Sequence, residues 1–202
     1  MKDSSGNTFS DNDLVSRVLH GETNAFSQIL KNTEALTAQI VFKMVSNAED
    51  RRDIAQDIYL KAFKNLAGFR FESKLSTWIA QIAYRTCLNH LEKKRLVLPA
   101  TGENENTEEI LDKLSPRPAS FALAGAESVV HTKNLKAILD KAIDNLPPVY
   151  RTLITLFHHE ELSYEEVSSI AGLPVGTVKS YLFRARKLLR DFLEKNYKKE
   201  EL

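Results

Sequence analysis

The chain has 202 residues, 43% of them hydrophobic and 27% charged, with a formal net charge of +1. That balance excludes a disordered, low-hydropathy chain, and no apolar run nears the roughly 20 residues of a bilayer crossing, so no membrane insertion is expected. Cys87 is the one cysteine, which excludes an intrachain disulfide and any multi-cysteine metal site. Its helical spacing predicts a small buried apolar residue. Residues 1–10 are polar and lack the apolar stretch of a signal peptide, so an intracellular, cytoplasmic protein is expected.

The small net charge hides a segmented distribution, which is what steers partners. Between Pro174 and Arg190 the charged residues are Lys179, Arg184, Arg186, Lys187 and Arg190, with no acid. Between Glu103 and Asp112 all the charged residues are acids.

A first block, residues 10–97, carries helical periodicity with few breakers. Over 24–45, Phe26, Ile29, Leu30, Leu36, Ile40, Val41 and Met44 form an amphipathic stripe. A second helix is predicted from Glu49 to Leu66, with Ile54, Ile58, Ala62 and Phe63 on its apolar side and Leu60 off the stripe. Gly68 breaks the pattern, and Phe69 to Leu75 reads as a loop. Ser76 is placed to cap a third helix running to Arg95.

Residues 98–132 contain Pro99, Gly102, Pro116, Pro118 and Gly125 among many acids and lack apolar periodicity. They read as a flexible acidic linker with a short helix around Glu108 to Leu114. A linker of that length argues for two domains. The block 133–202 is helical again: one helix over Asn134 to Leu146, and another opened by Pro147-Pro148 and ending near His158. Ser163 with Glu166 makes a capping box for a short helix through Ala171. Gly172 then turns the chain into a long last helix starting near Pro174 or Val175. With no strand-like alternation, the fold class expected is all-α, two small helical domains.

Two helices of unequal length joined by Gly172-Leu173-Pro174 match a helix-turn-helix. On the last helix Val178, Leu182, Ala185, Leu189 and Phe192 share one face, while Ser180, Phe183, Arg184 and Lys187 point the other way. Gly176, Thr177 and Lys179 lie near its start. In this motif the start of the second helix enters the major groove. Lys179 and Arg184 can donate to guanine or phosphate, and Thr177 and Ser180 can contact either. The opening turn offers backbone N–H groups to a phosphate. A solvated basic helix is the plainer account of charge alone; turn, capping box and one-sided face together favour DNA. His158, His159 and Glu160 suggest a metal, but Ser163 stands where HExxH needs its second histidine. No catalytic set, metal site or cofactor is expected.

Val175-Gly-Thr-Val-Lys-Ser-Tyr-Leu-Phe-Arg-Ala-Arg186 resembles the −35-recognition helix of extracytoplasmic-function sigma factors, and Leu146-Pro-Pro with Ser163-Tyr-Glu-Glu-Val167 fits the same region. Asp53-Ile-Ala-Gln56-Asp57 followed by Phe63 resembles the helix by which that family docks on RNA polymerase. Phe69-Arg70, Ser76-Thr-Trp78-Ile79 and Ile82-Ala83 resemble its promoter-melting region. Tyr181 departs from a commonly basic position, Ser168 from a common alanine, and Arg85 and Asn89 from frequent Asn and Asp.

The resemblance implies that Asp53, Gln56 and Asp57 meet the clamp helices of the polymerase largest subunit; their spacing puts them on one helix face. It places the flipped −10 base at the loop Phe69, Arg70, Phe71, Glu72, Ser73 and Lys74, with Arg85 a further contact. Phe69 has packing of the loop as its other reading, and Trp78 reads as core. At the −35 element it implies Val175, Gly176, Thr177, Lys179, Ser180, Tyr181, Phe183, Arg184 and Lys187. Phe183 is expected to meet a thymine methyl or an inhibitor. The linker would thread the polymerase active-site channel. Partners implied are core RNA polymerase (clamp helices and flap), promoter DNA and an anti-sigma factor. The rival expectation is an autonomous helix-turn-helix regulator, which leaves 53–57 and 69–79 unexplained.

Overall fold

A computed structural model describes residues 10–97 and 133–197, which contain eight α-helices, one 3-10 turn and no strand. The expected linker 98–132, with its short helix near 108–114, lies outside the described residues. The helices form two compact units.

The first unit begins with a helix that the sequence reading did not separate out, α1 (Asp11–Leu19). Ser10 caps it: its hydroxyl accepts from the Asp13 amide, and the Asp13 carboxylate accepts from the Ser10 amide. The Ser10 hydroxyl also donates to the Asp13 carboxylate at 2.7 Å, and that bond first, then the one from the Ser10 amide, holds the Asp13 carboxyl below its usual range. Helix α2 (Thr23–Met44) buries Ile29, Ile40, Val41 and Met44 as expected, and also Thr33 and Thr37. Thr33 fits an apolar stripe because its hydroxyl donates back to the Ile29 carbonyl at 2.8 Å.

Asn47 caps α3 (Ala48–Asn65) by accepting from the Glu49 and Asp50 amides. A 3-10 turn, Leu66–Gly68, ends it. Helix α4 (Leu75–Val97) starts one residue before Ser76, which corrects the expected cap: the Leu75 amide instead donates to the Asp11 carboxylate at 2.9 Å. Helix α4 packs on α2 and α3, and α1 packs on α2. Leu14, Ile29, Ile58, Ile79 and Tyr84 are at most 1% exposed at the centre of this unit. Each fully buried aliphatic side chain there contributes about 2 kcal/mol.

The second unit contains α5 (Lys133–Asp144), α6 (Pro148–His158) and α8 (Val175–Asn196). Pro148 opens α6 as the Pro-Pro pair predicts. Helix α8 packs on both α5 and α6, burying Val178, Leu182 and Ala185, with Leu189 and Phe192 half-buried. Thr152 and Thr155 of α6 are buried, and each hydroxyl donates to the carbonyl four residues back. The short helix α7 (Tyr164–Ala171) precedes α8 in the chain.

Candidate functional site

Three surfaces carry the expected residues. On α3 the apolar side buries Ile54, Ile58 and Ala62. Asp53 and Gln56 are therefore exposed and Asp57 half-exposed. Leu60 continues their row by one more turn and is 51% exposed. Phe63, expected on the buried side, is also exposed; its ring meets Phe26 of α2 edge-on at 5.0 Å. The face is thus an acidic and amide row ending in two apolar groups. The acidic motif drew attention away from Leu60, and its exposure follows from the same spacing.

Asp57 is already paired: Lys61 Nζ lies 2.7 Å from its carboxylate and donates to Thr86 of α4 at 3.3 Å. The N-terminal end of α3 is tied to α4 through Asp50, which pairs with Lys94 and faces His90. The Lys94 hydrogen bond is the largest cause holding the Asp50 carboxyl below its usual range.

The second surface is the loop after the 3-10 turn. Phe69 is 7% exposed and packs, with tilted ring planes, between Phe71 and Trp78, whose ring centroids lie 4.7 and 5.2 Å away. That burial is what the packing alternative for Phe69 expects: its ring anchors the loop. Phe71 is 46% exposed and has φ of +58°, the left-handed region in which a bulky side chain is strained. Arg70, Glu72, Ser73 and Lys74 are exposed around it, as is Arg85 on α4.

The third surface is α8 with the turn before it. Gly172 adopts φ of +68°, and the Gly172 and Leu173 amides both donate to the Ser168 carbonyl. Ser168 does more than keep a small volume, since its hydroxyl donates to the Leu173 carbonyl across the turn. Pro174 stands at the cap position of α8 with no side-chain cap bond. Gly176, Lys179, Ser180, Phe183, Arg184 and Lys187 are exposed, and Val175 and Thr177 half-exposed. Phe183 is 69% exposed.

Tyr181 is the exception among the expected DNA contacts. It is 5% exposed, its ring meeting Tyr150 of α6 edge-on at 5.5 Å. The reason is its register: residue 181 follows 178 by three and precedes 185 by four, on the face that packs on α5 and α6. Arg184 lies over the Tyr181 ring at 5.8 Å, so the buried tyrosine has a cation above it and little surface of its own. His158, at the end of α6, accepts from Arg186 at 3.3 and 3.2 Å. Burial first, and the Arg186 charge second, lower its pKa below the ordinary 6.5. Among the described residues no cluster of His, Cys, Asp and Glu could hold a metal ion, and no helix is long and apolar enough to cross a membrane.

A glycine turn leading into a helix that is apolar on one side and basic on the other is the pattern of a helix-turn-helix, a class whose members read duplex DNA. Comparison with known proteins narrows the class. Residues 31–97 match Sigma-70 region 2 and residues 136–189 match Sigma-70, region 4. The chain is 30% identical to the RNA polymerase sigma-H factor of Pseudomonas aeruginosa, over 91% of this chain and 94% of that one. It is 32% identical to the ECF RNA polymerase sigma factor SigW of Bacillus subtilis, over 87% and 92%. With the ECF RNA polymerase sigma-E factor of Escherichia coli K12 it shares 32%, over 89% and 92%.

The fold resembles that of CnrH, solved in complex with the cytosolic domain of CnrY, with a TM-score of 0.58, 18% identity and coverage of 91% and 96%. It also resembles the sigma factor RpoE of Bartonella quintana, solved with the anti-sigma factor NepR, with a TM-score of 0.57, 23% identity and coverage of 84% and 96%. The chain belongs to the extracytoplasmic-function sigma factors of bacterial RNA polymerase. It is a transcription initiation factor, acting with core polymerase and promoter DNA, and not an enzyme.

Proposed function

We propose that this factor selects promoters by reading a −35 element with α8 and a −10 element with the loop at 69–74, while the acidic row of α3 docks on the polymerase clamp. In this reading residues 10–97 bind core and open DNA, 98–132 link, and 133–202 hold the upstream reader. The observation that carries it is α8 itself. Its buried face fixes Val178, Tyr181 and Leu182 inside, which leaves Lys179, Ser180, Phe183, Arg184 and Lys187 together outside. No acid occurs between Pro174 and Arg190 to oppose a phosphate backbone. The loop supports the −10 role in a different way: a buried Phe69 holds a strained, half-exposed Phe71 at its tip, and an exposed ring on a rigid base suits stacking with an unpaired base. Holding Arg184 against Tyr181 leaves the guanidinium as the reader at that position.

The proposed site of action is the cytoplasm, where the polymerase works. An anti-sigma factor is the proposed inhibitor, in line with the partner named for the Bartonella protein, and the exposed Phe183 is its proposed contact when DNA is absent. The test is run-off transcription from a promoter library with bacterial core polymerase. New start sites sharing −10 and −35 sequences, lost in Lys179→Ala/Arg184→Ala, are expected. Tight duplex binding by the free chain without any polymerase-dependent start would overturn the proposal in favour of an autonomous regulator.

A further inference from the structure

The basic side chains of α8 do not all stand free in solvent. Lys179 Nζ lies over the Tyr164 ring, 5.2 Å from its centroid. Tyr164 packs on Phe157 of α6, centroids 4.5 Å apart and planes 31° from parallel. The Arg186 guanidinium covers the Phe157 ring at 5.5 Å and is tethered beside it by donating to His158. His158 in turn meets the Phe157 ring edge-on at 4.9 Å. The four groups make a ladder of cation, ring, ring and cation, and its two cations sit two turns apart on one helix.

We propose that Phe157 and Tyr164 are positioning residues for promoter reading, their paired rings seating Lys179 in one direction, with Arg186 locking the far end of the stack. A free lysine or arginine loses about four rotatable bonds of freedom when it binds a phosphate or a base edge, and that loss weakens binding. A cation already resting on a ring face has given up much of it beforehand. The ring face attracts the charge while leaving its N–H donors open, unlike a carboxylate, which would consume them. Tyr164 and Phe157 touch no DNA in this account; they act through Lys179. This rests on the reading of α8 as the −35 helix.

The ring and not merely its volume is required, so substitutions separate the two. In holoenzyme carrying the full chain, Tyr164→Leu and Phe157→Leu are each expected to weaken binding to a promoter duplex selected from the library by roughly two- to fivefold, as one exposed cation–π contact would. Tyr164→Phe and Phe157→Tyr should bind as the unsubstituted protein does. In a Tyr164→Leu background, Lys179→Ala should cost less than it does alone. Core-polymerase affinity should not change in any of them.

Should the leucine variants fail to fold, pentafluorophenylalanine at position 164 serves instead, since it keeps the ring shape but removes the negative face. It should bind several-fold more weakly than Tyr164→Phe. Equal binding by the fluorinated and plain rings, or unweakened binding by folded leucine variants while Lys179→Ala binds poorly, would overturn the seat and leave the −35 reading intact. No effect of Lys179→Ala itself would instead overturn the reading on which the seat rests.

Discussion

Lys61 holds Asp57 in an ion pair of 2.7 Å along α3, inside the acidic row proposed to dock on the polymerase. A basic partner surface must compete with that lysine for the carboxylate. Both side chains are nearly half exposed, so the pair is worth at most about 1 kcal/mol. Lys61→Met removes the competitor and a like charge together. Core affinity, measured by competition against a labelled sigma factor, should then tighten by up to about fivefold. Weaker binding would make Lys61 itself a contact.

Adjacent phenylalanines of the loop should behave oppositely. Phe69→Ala empties a buried aromatic site and should lower unfolding stability by about 3 kcal/mol. Phe71→Gly relieves a left-handed backbone and loses a half-exposed ring, effects that offset each other to within about 1 kcal/mol. Permanganate reactivity of thymines in promoter complexes should drop for Phe71→Gly despite its normal fold. Full opening by that variant would remove Phe71 from the melting step.

Tyr181 should report on stability before it reports on DNA. Tyr181→Ala is expected to cost about 3 kcal/mol in urea unfolding, while Tyr181→Phe keeps both the packing on Tyr150 and the ring beneath Arg184. If Tyr181→Ala folds with undiminished stability, the buried placement is wrong.

His158 gives a pH dependence of known sign. Its folded pKa lies below the 6.5 of the free side chain because burial, and then Arg186, oppose the charged ring. As pH falls, the unfolded chain takes the proton first. The stability linked to neutral His158 is therefore whole above about pH 6.5 and is lost as pH falls from there through the lower folded value. His158→Gln, which keeps an acceptor for Arg186, should show a smaller drop in urea midpoint between about pH 7.5 and 5.5 than the unsubstituted protein. Equal drops would place the titration elsewhere.

The helices were readable because apolar spacing and breakers act locally: Pro148, Gly172 and the 178–182–185 stripe appear where the sequence predicts them. Helix α1 carried an equally local signal, Ser10 with Asp13, that a search for long stripes passed over. The start of α4 was misplaced for a different reason. Its first amide is satisfied by Asp11, 64 positions earlier, and no local pattern carries that. Among the proposed site residues, Arg184 and Phe183 were read from the outward helix face and Lys179 from its place near the helix start, whereas Tyr181 was assigned by its place in a motif against its own register. The aromatic seat under Lys179 joins three segments of chain, α6, the residue opening α7, and α8, so spacing along any one helix leaves it invisible.

The Cys87 thiol is fully buried, and burial pushes its pKa up to about 12. Near neutrality it carries essentially no thiolate, the species that peroxides and disulfides attack. The Met44 thioether is sealed in the same unit at 1% exposure. Mild oxidants therefore find no ready foothold on either sulfur while the helices stay closed, and oxidation of Cys87 would first have to wait for the first unit to open.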